Sequence, residues 1–91
     1  MDNKAIRDKR VCLMILAKEA IVHLLDVCCG SFEKTDPRYA QLQDILLEAG
    51  LSPEDFIRAD AKARNEYRKL MRTRRATVLA AVFTRRSIRF N

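Results

Sequence analysis

Leu46-Leu47-Glu48-Ala49-Gly50-Leu51-Ser52-Pro53-Glu54-Asp55-Phe56-Ile57 is the stretch whose reading decides the fold. Gly50 is suited to the left-handed position just past a helix C-terminus, so one helix is expected to end there. Ser52 then offers a side-chain oxygen to the first free backbone N–H groups of the next helix, and Pro53 fits its first position, where a missing N–H is no loss. Glu54 and Asp55 complement the positive end of the helix dipole. Two helices joined by a tight turn follow from these residues alone.

Upstream, Tyr39, Leu42, Ile45, Leu46 and Ala49 recur at helical spacing and predict one apolar face on a helix that starts at Asp36-Pro37, again a cap followed by proline. Gly30 to Asp36 reads as a turn-rich connection. Before it, Asp2 or Asn3 is expected to start a long first helix ending at Cys29, with Gly30 in the left-handed position beyond it. Asp8, Cys12, Glu19, His23 and Asp26 form a polar stripe on that helix. Met14, Ala17, Ile21, Leu24 and Cys28 form the opposite face, widened by Leu13, Ala20 and Leu25. So broad a face predicts burial against more than one neighbour. The first two helices are expected to form an antiparallel hairpin.

Downstream, no Gly or Pro follows Pro53, so residues 53–85 read either as one helix of about 50 Å or as two. The apolar positions Phe56, Ile57, Ala63, Tyr67, Leu70 and Met71 give way to charge and then to the apolar run Val78–Phe83, which favours a junction within residues 72–76. Residues 84–91 read as a frayed end or a basic tail. Sustained two-residue alternation is missing throughout, so the fold class is all-α: a small bundle of three or four helices, with a long N-terminal helix and a long basic C-terminal one.

Composition sets the outer limits. The 91 residues, 48% hydrophobic and 33% charged with 2 Gly and 2 Pro, suit a single helical domain over residues 1–91. Such a chain buries only about 60% of its unfolded surface and gains much from a partner. Three cysteines with no framework spacing, and charges at Asp2, Lys4, Arg7 and Asp8 in place of a signal peptide, predict reduced thiols and a cytoplasmic protein. The most apolar window, Val11–Cys29, contains Lys18, Glu19, His23 and Asp26, which argues against a membrane span.

Net charge is +6 and unevenly placed: seven basic residues against eight acidic ones in residues 1–50, and eleven against four in residues 51–91. From Tyr67 onward there are eight basic residues and no acid. Arg64, Arg68, Arg72 and Arg75, spaced four, four and three, predict an arginine stripe with Arg58, Lys62 and Lys69 beside it and Arg74 adjoining. The planar guanidinium pairs well with phosphate and carboxylate, so the stripe is a candidate surface for nucleic acid or an acidic protein. A solvated face is the bland alternative. Arg85, Arg86 and Arg89 extend the basic character into the tail, interleaved with Ile88 and Phe90. Val78, Leu79, Val82 and Phe83 belong to an apolar run that surrounds a helix, and predict a homodimer or burial in a protein complex.

Enzyme signatures are missing: one histidine, no glycine-rich phosphate loop and no nucleophile elbow. Cys28-Cys29 with His23 falls short of the four ligands of structural zinc and the three of catalytic zinc. No cofactor, metal or small-molecule substrate is expected.

The stretch Leu46–Ile57 quoted above resembles the helix-turn-helix of H-NS-type nucleoid proteins, in which such a hairpin serves self-association. The resemblance covers a dozen residues, and the chain shows no counterpart to the family's separate DNA-binding domain. What it implies is a self-association surface at this hairpin. The reading as a whole is a small non-enzymatic binding protein whose basic helical face engages nucleic acid or a nucleic-acid-handling complex. The alternatives are a phage- or plasmid-type adaptor or inhibitor on an acidic protein partner, and a homo-oligomeric structural module.

Overall fold

A computed structural model describes the backbone of residues 2–90 and the side chains of residues 3–84. Three helices account for nearly all of it: α1 Asp2–Val27, α2 Pro37–Glu48 and α3 Pro53–Phe90. No strand occurs among the described residues.

The α1–α3 pair dominates the packing, and α2 rests on both. The expected antiparallel course of α2 along α1 is present, with Arg38 at Cys28 and Gly50 beside Lys9, but the α1–α3 pair, not this hairpin, carries most of the packing. Arg10 reaches Asp55, Lys18 reaches Glu66 and Arg74 reaches Asp26, so α1 and α3 run in parallel, with α2 carrying the chain back between them. Alanines make this possible. Ala17 on α1 and Ala59 and Ala63 on α3 are fully buried, and small side chains at a seam let helix axes approach closely, much as they do in other tightly packed pairs.

Ile21, Leu25, Phe32, Leu51 and Phe56 complete the centre of the core. Tyr39 lies between two aromatic rings, 5.8 Å from the Phe32 centroid and 5.4 Å, edge-on, from that of Phe56. Such pairs add about 0.5–1.5 kcal/mol each beyond their burial. From α2 only Tyr39 and Leu46 are fully buried; Ile45 and Ala49, expected on the same face, are exposed. A twelve-residue helix resting across two longer ones buries a narrower strip than its apolar pattern allows. On α1 the polar stripe is exposed as read, but Val11, Ile15 and Leu16 are exposed as well. The bundle is flat, with principal extents of 66 × 34 × 14 Å, and the face of α1 that carries these three residues is left uncovered.

The turns follow the sequence signals with one change. Asp36 Oδ1 accepts from the Arg38 backbone N–H at 2.9 Å, and Ser52 Oγ accepts from that of Asp55 at 3.2 Å. Gly50 has φ +116°, a conformation that favours glycine. α1, however, ends at Val27 rather than Cys29. The Gly30 N–H donates to Leu25 O at 2.7 Å and that of Cys29 to Asp26 O at 3.2 Å, the bond pair of a Schellman closure. Its left-handed position therefore belongs to Cys29, at φ +55°, with Gly30 one residue beyond.

The junction expected within residues 72–76 does not occur: α3 is one helix of 38 residues, about 57 Å at 1.5 Å per residue. A change from apolar to charged positions alters which face is solvated, not the backbone, and Arg72 to Ala76 contain no helix breaker. The tail read at residues 84–91 is helical in its backbone to Phe90; its side chains from Arg85, and Asn91 altogether, lie outside the described residues.

Candidate nucleic-acid interface on α3

The buried positions Phe56, Ala59, Asp60 and Ala63 define the core side of α3. At 100° per residue, Lys62, Arg68, Lys69, Arg72 and Arg75 fall on its far side, and all five are exposed. No carboxylate pairs with any of them among the described residues. The other cations read from the sequence are differently placed. Arg64 is half-buried and pairs with the buried Asp60 at 3.1 Å, so the stripe does contain an acid, one turn before its first arginine. Arg74 points back toward α1 and holds Asp26 at 2.8 Å. Arg58 bonds Asp55 at 3.3 Å. Arg85, Arg86 and Arg89 carry side chains outside the described residues.

One cluster had no local signal. Asp55, 4% exposed, accepts from Arg10 Nε at 2.6 Å and Arg10 Nη2 at 2.8 Å, a bidentate pair across 45 residues, with Arg58 as a third donor. The Arg10 hydrogen bonds hold the Asp55 carboxyl below its ordinary value against the opposing effect of burial, and the same bonds raise Arg10. Asp55 read from sequence as a helix-dipole acid; its distant partner could not be read.

A second clamp fastens the α1–α2 connection. Arg38 Nη2 bonds Asp36 Oδ2 at 2.7 Å and Cys28 Sγ at 2.9 Å, while the guanidinium lies 5.8 Å from the Phe32 centroid. The Arg38 side-chain bonds lower the Asp36 carboxyl to about 2. Burial raises Tyr39, and nearby Asp60 adds to the effect. No three of His, Cys, Asp and Glu converge on one point among the described residues.

Arg74 makes the last ion pair to α1 among the described residues, and every residue from Arg75 to Thr84 is exposed. Val78, Leu79, Val82 and Phe83 are 61%, 57%, 44% and 65% exposed. With Met71 and Arg75, Val78 and Leu79 line a shallow apolar depression of about 430 Å³. The hairpin Leu46–Ile57 instead spends Leu46, Leu51 and Phe56 on this chain's own core. No helix among the described residues is long and apolar enough to cross a membrane. Comparison with protein-family models, curated proteins and solved structures finds no match to this chain.

Proposed function

We propose that this chain is a non-enzymatic binding protein that holds nucleic acid by its phosphates along the outward face of α3. The observation that carries the reading is the set Lys62, Arg68, Lys69, Arg72 and Arg75, exposed and without a carboxylate partner among the described residues. Like charges at i,i+4, as at Arg68 and Arg72, cost a helix a few tenths of a kcal/mol. An anion laid along the helix removes that cost. An unbroken helix offering cations and no groove-reading motif favours phosphate contact over base reading.

The test is fluorescence anisotropy with unrelated duplexes, comparing the wild type with the fourfold variant Arg68→Gln, Lys69→Gln, Arg72→Gln and Arg75→Gln. The reading expects the wild type to bind all duplexes with similar affinity and the variant, equally helical, to lose binding to each. Unchanged affinity in the variant would make the stripe a solvated face. A second reading, an acidic protein partner, is favoured by the exposed apolar residues after Arg75, which phosphates do not use.

A further inference from the structure

We infer that α3 bridges the two strands of B-form DNA across the major groove, with Lys62 and Lys69 on the phosphates of one strand and Arg68 and Arg75 on those of the other. Resting on the phosphate-binding reading above, this arrangement names the substrate class: duplex DNA, as against single strands or duplex RNA.

The cations divide around the helix into two edges. Lys62 and Lys69 stand seven residues apart, and so do Arg68 and Arg75. At 100° per residue a seven-residue step returns to within about 20° of its start, so each pair shares one edge. The lysine edge and the arginine edge lie about 120° apart on the same wheel. All four side chains are exposed, and no carboxylate pairs with them among the described residues. Between the edges lie Ala61, Asn65 and Arg72, also exposed and none of them acidic.

One phosphate chain that follows one edge leaves the other unpaired. Two chains engage both edges if their separation matches. A helix with its side chains is about 10–12 Å across, so edges 120° apart are separated by about 9–10 Å, and further where lysine and arginine extend. The major groove of B-form DNA is about 12 Å wide and admits a helix, whereas the minor groove, about 6 Å wide, is too narrow for one. In duplex RNA the major groove is deep and closed to side chains. The midpoints of the two edges are offset by six residues, about 9 Å along the axis, so α3 crosses the groove obliquely. The approach is open, because α1 and α2 pack on the side of α3 that carries Phe56, Ala59 and Ala63 and the body of the bundle stays outside the groove.

The test uses the full-length protein, fluorescence anisotropy and two edge variants. Lys62→Gln with Lys69→Gln removes one edge and Arg68→Gln with Arg75→Gln the other; circular dichroism checks that both remain helical. The probes are a DNA duplex, a duplex RNA of the same sequence and one of the DNA single strands, all at equal salt. Bridging expects the DNA duplex to bind most tightly. Each edge variant should lower its slope of log K against log salt by about 1.8, two contacts at about 0.9 each. Methyl green, which occupies the major groove, should displace the protein, and netropsin, which occupies the minor groove, should not. A slope lowered by one edge variant and untouched by the other would overturn the bridge, because one strand then makes all the contacts. So would equal affinity for the single strand or the RNA duplex, or displacement by netropsin alone. Those outcomes leave phosphate binding standing. A wild type that binds none of the three probes, or a slope that neither edge variant changes, would remove the phosphate reading and the bridge with it.

Discussion

Cys29 occupies the left-handed position that closes α1, at φ +55°, where a Cβ is disfavoured by roughly 1–2 kcal/mol. Cys29→Gly relieves that strain but frees the unfolded chain, a loss of about 0.4–1 kcal/mol. The net expectation is a gain of about 0 to 1.6 kcal/mol, read by urea denaturation. The carboxylates give a pH dependence. Asp36 is lowered to about 2 by Arg38 and Asp55 is lowered by Arg10, both from an unfolded value of about 3.9. Groups lowered on folding contribute stability that is complete above the unfolded value and is lost as pH falls through the folded one. Stability should therefore fall between about pH 4 and 2, and Arg10→Gln should flatten part of that acid limb; an unchanged acid limb in Arg10→Gln would place Asp55 outside it. At this scale the caps were legible, since Asp36, Ser52 and Gly50 act on their own neighbours. The Arg10–Asp55 pair was not, because nothing local marks two residues 45 positions apart as partners.

The elements themselves separate into a packed half and an unpacked one. Ile21 is fully buried between α1 and α3, so Ile21→Ala should cost about 2–5 kcal/mol, seen as a lowered denaturation midpoint. Ala76 lies past the last tie to α1, at Arg74. Ala76→Pro removes an i→i−4 bond there and should cost local helix about 3 kcal/mol. Circular dichroism should show lost helicity with the core's melting transition nearly unmoved; full retention of helicity would mean that a non-helical junction already exists at this point. Helix existence and phase were readable from the 3.6-residue period, as Ala17, Ile21, Phe56 and Ala63 show. Which helices pair was not, because the same alanines and leucines fit either neighbour. The unbroken passage through Arg72–Ala76 is not marked in the sequence, because a change from apolar to charged positions leaves the backbone unaltered. Backbone hydrogen bonding is indifferent to it, and Thr73 and Thr77 even bond back to Lys69 O and Thr73 O at 3.1 and 2.9 Å.

Taken whole, the molecule is a flat three-helix bundle whose longest element outreaches its support. Most of its positive charge travels with that element: residues 51–91 carry eleven basic residues against four acids. Three of these four acids are engaged with specific cations, Asp55 with Arg10 and Arg58, Asp60 with Arg64 and Glu66 with Lys18, and the fourth, Glu54, lies in the first turn of α3, so the exposed cations from Arg68 to Arg75 have no carboxylate partner among the described residues. The stripe is legible from spacing, and so is its internal neutralisation at Arg64, because Asp60 stands one turn away in the sequence. Counterion release makes the phosphate-binding account quantitative. Each phosphate contact contributes about 0.9 to the slope of log K against log salt on duplex DNA. The most direct measurement is that slope for the wild type and for the fourfold Arg68, Lys69, Arg72 and Arg75→Gln variant. The account predicts that the variant's slope is shallower by about 3 to 4 at unchanged helicity; equal slopes in the two proteins would contradict it.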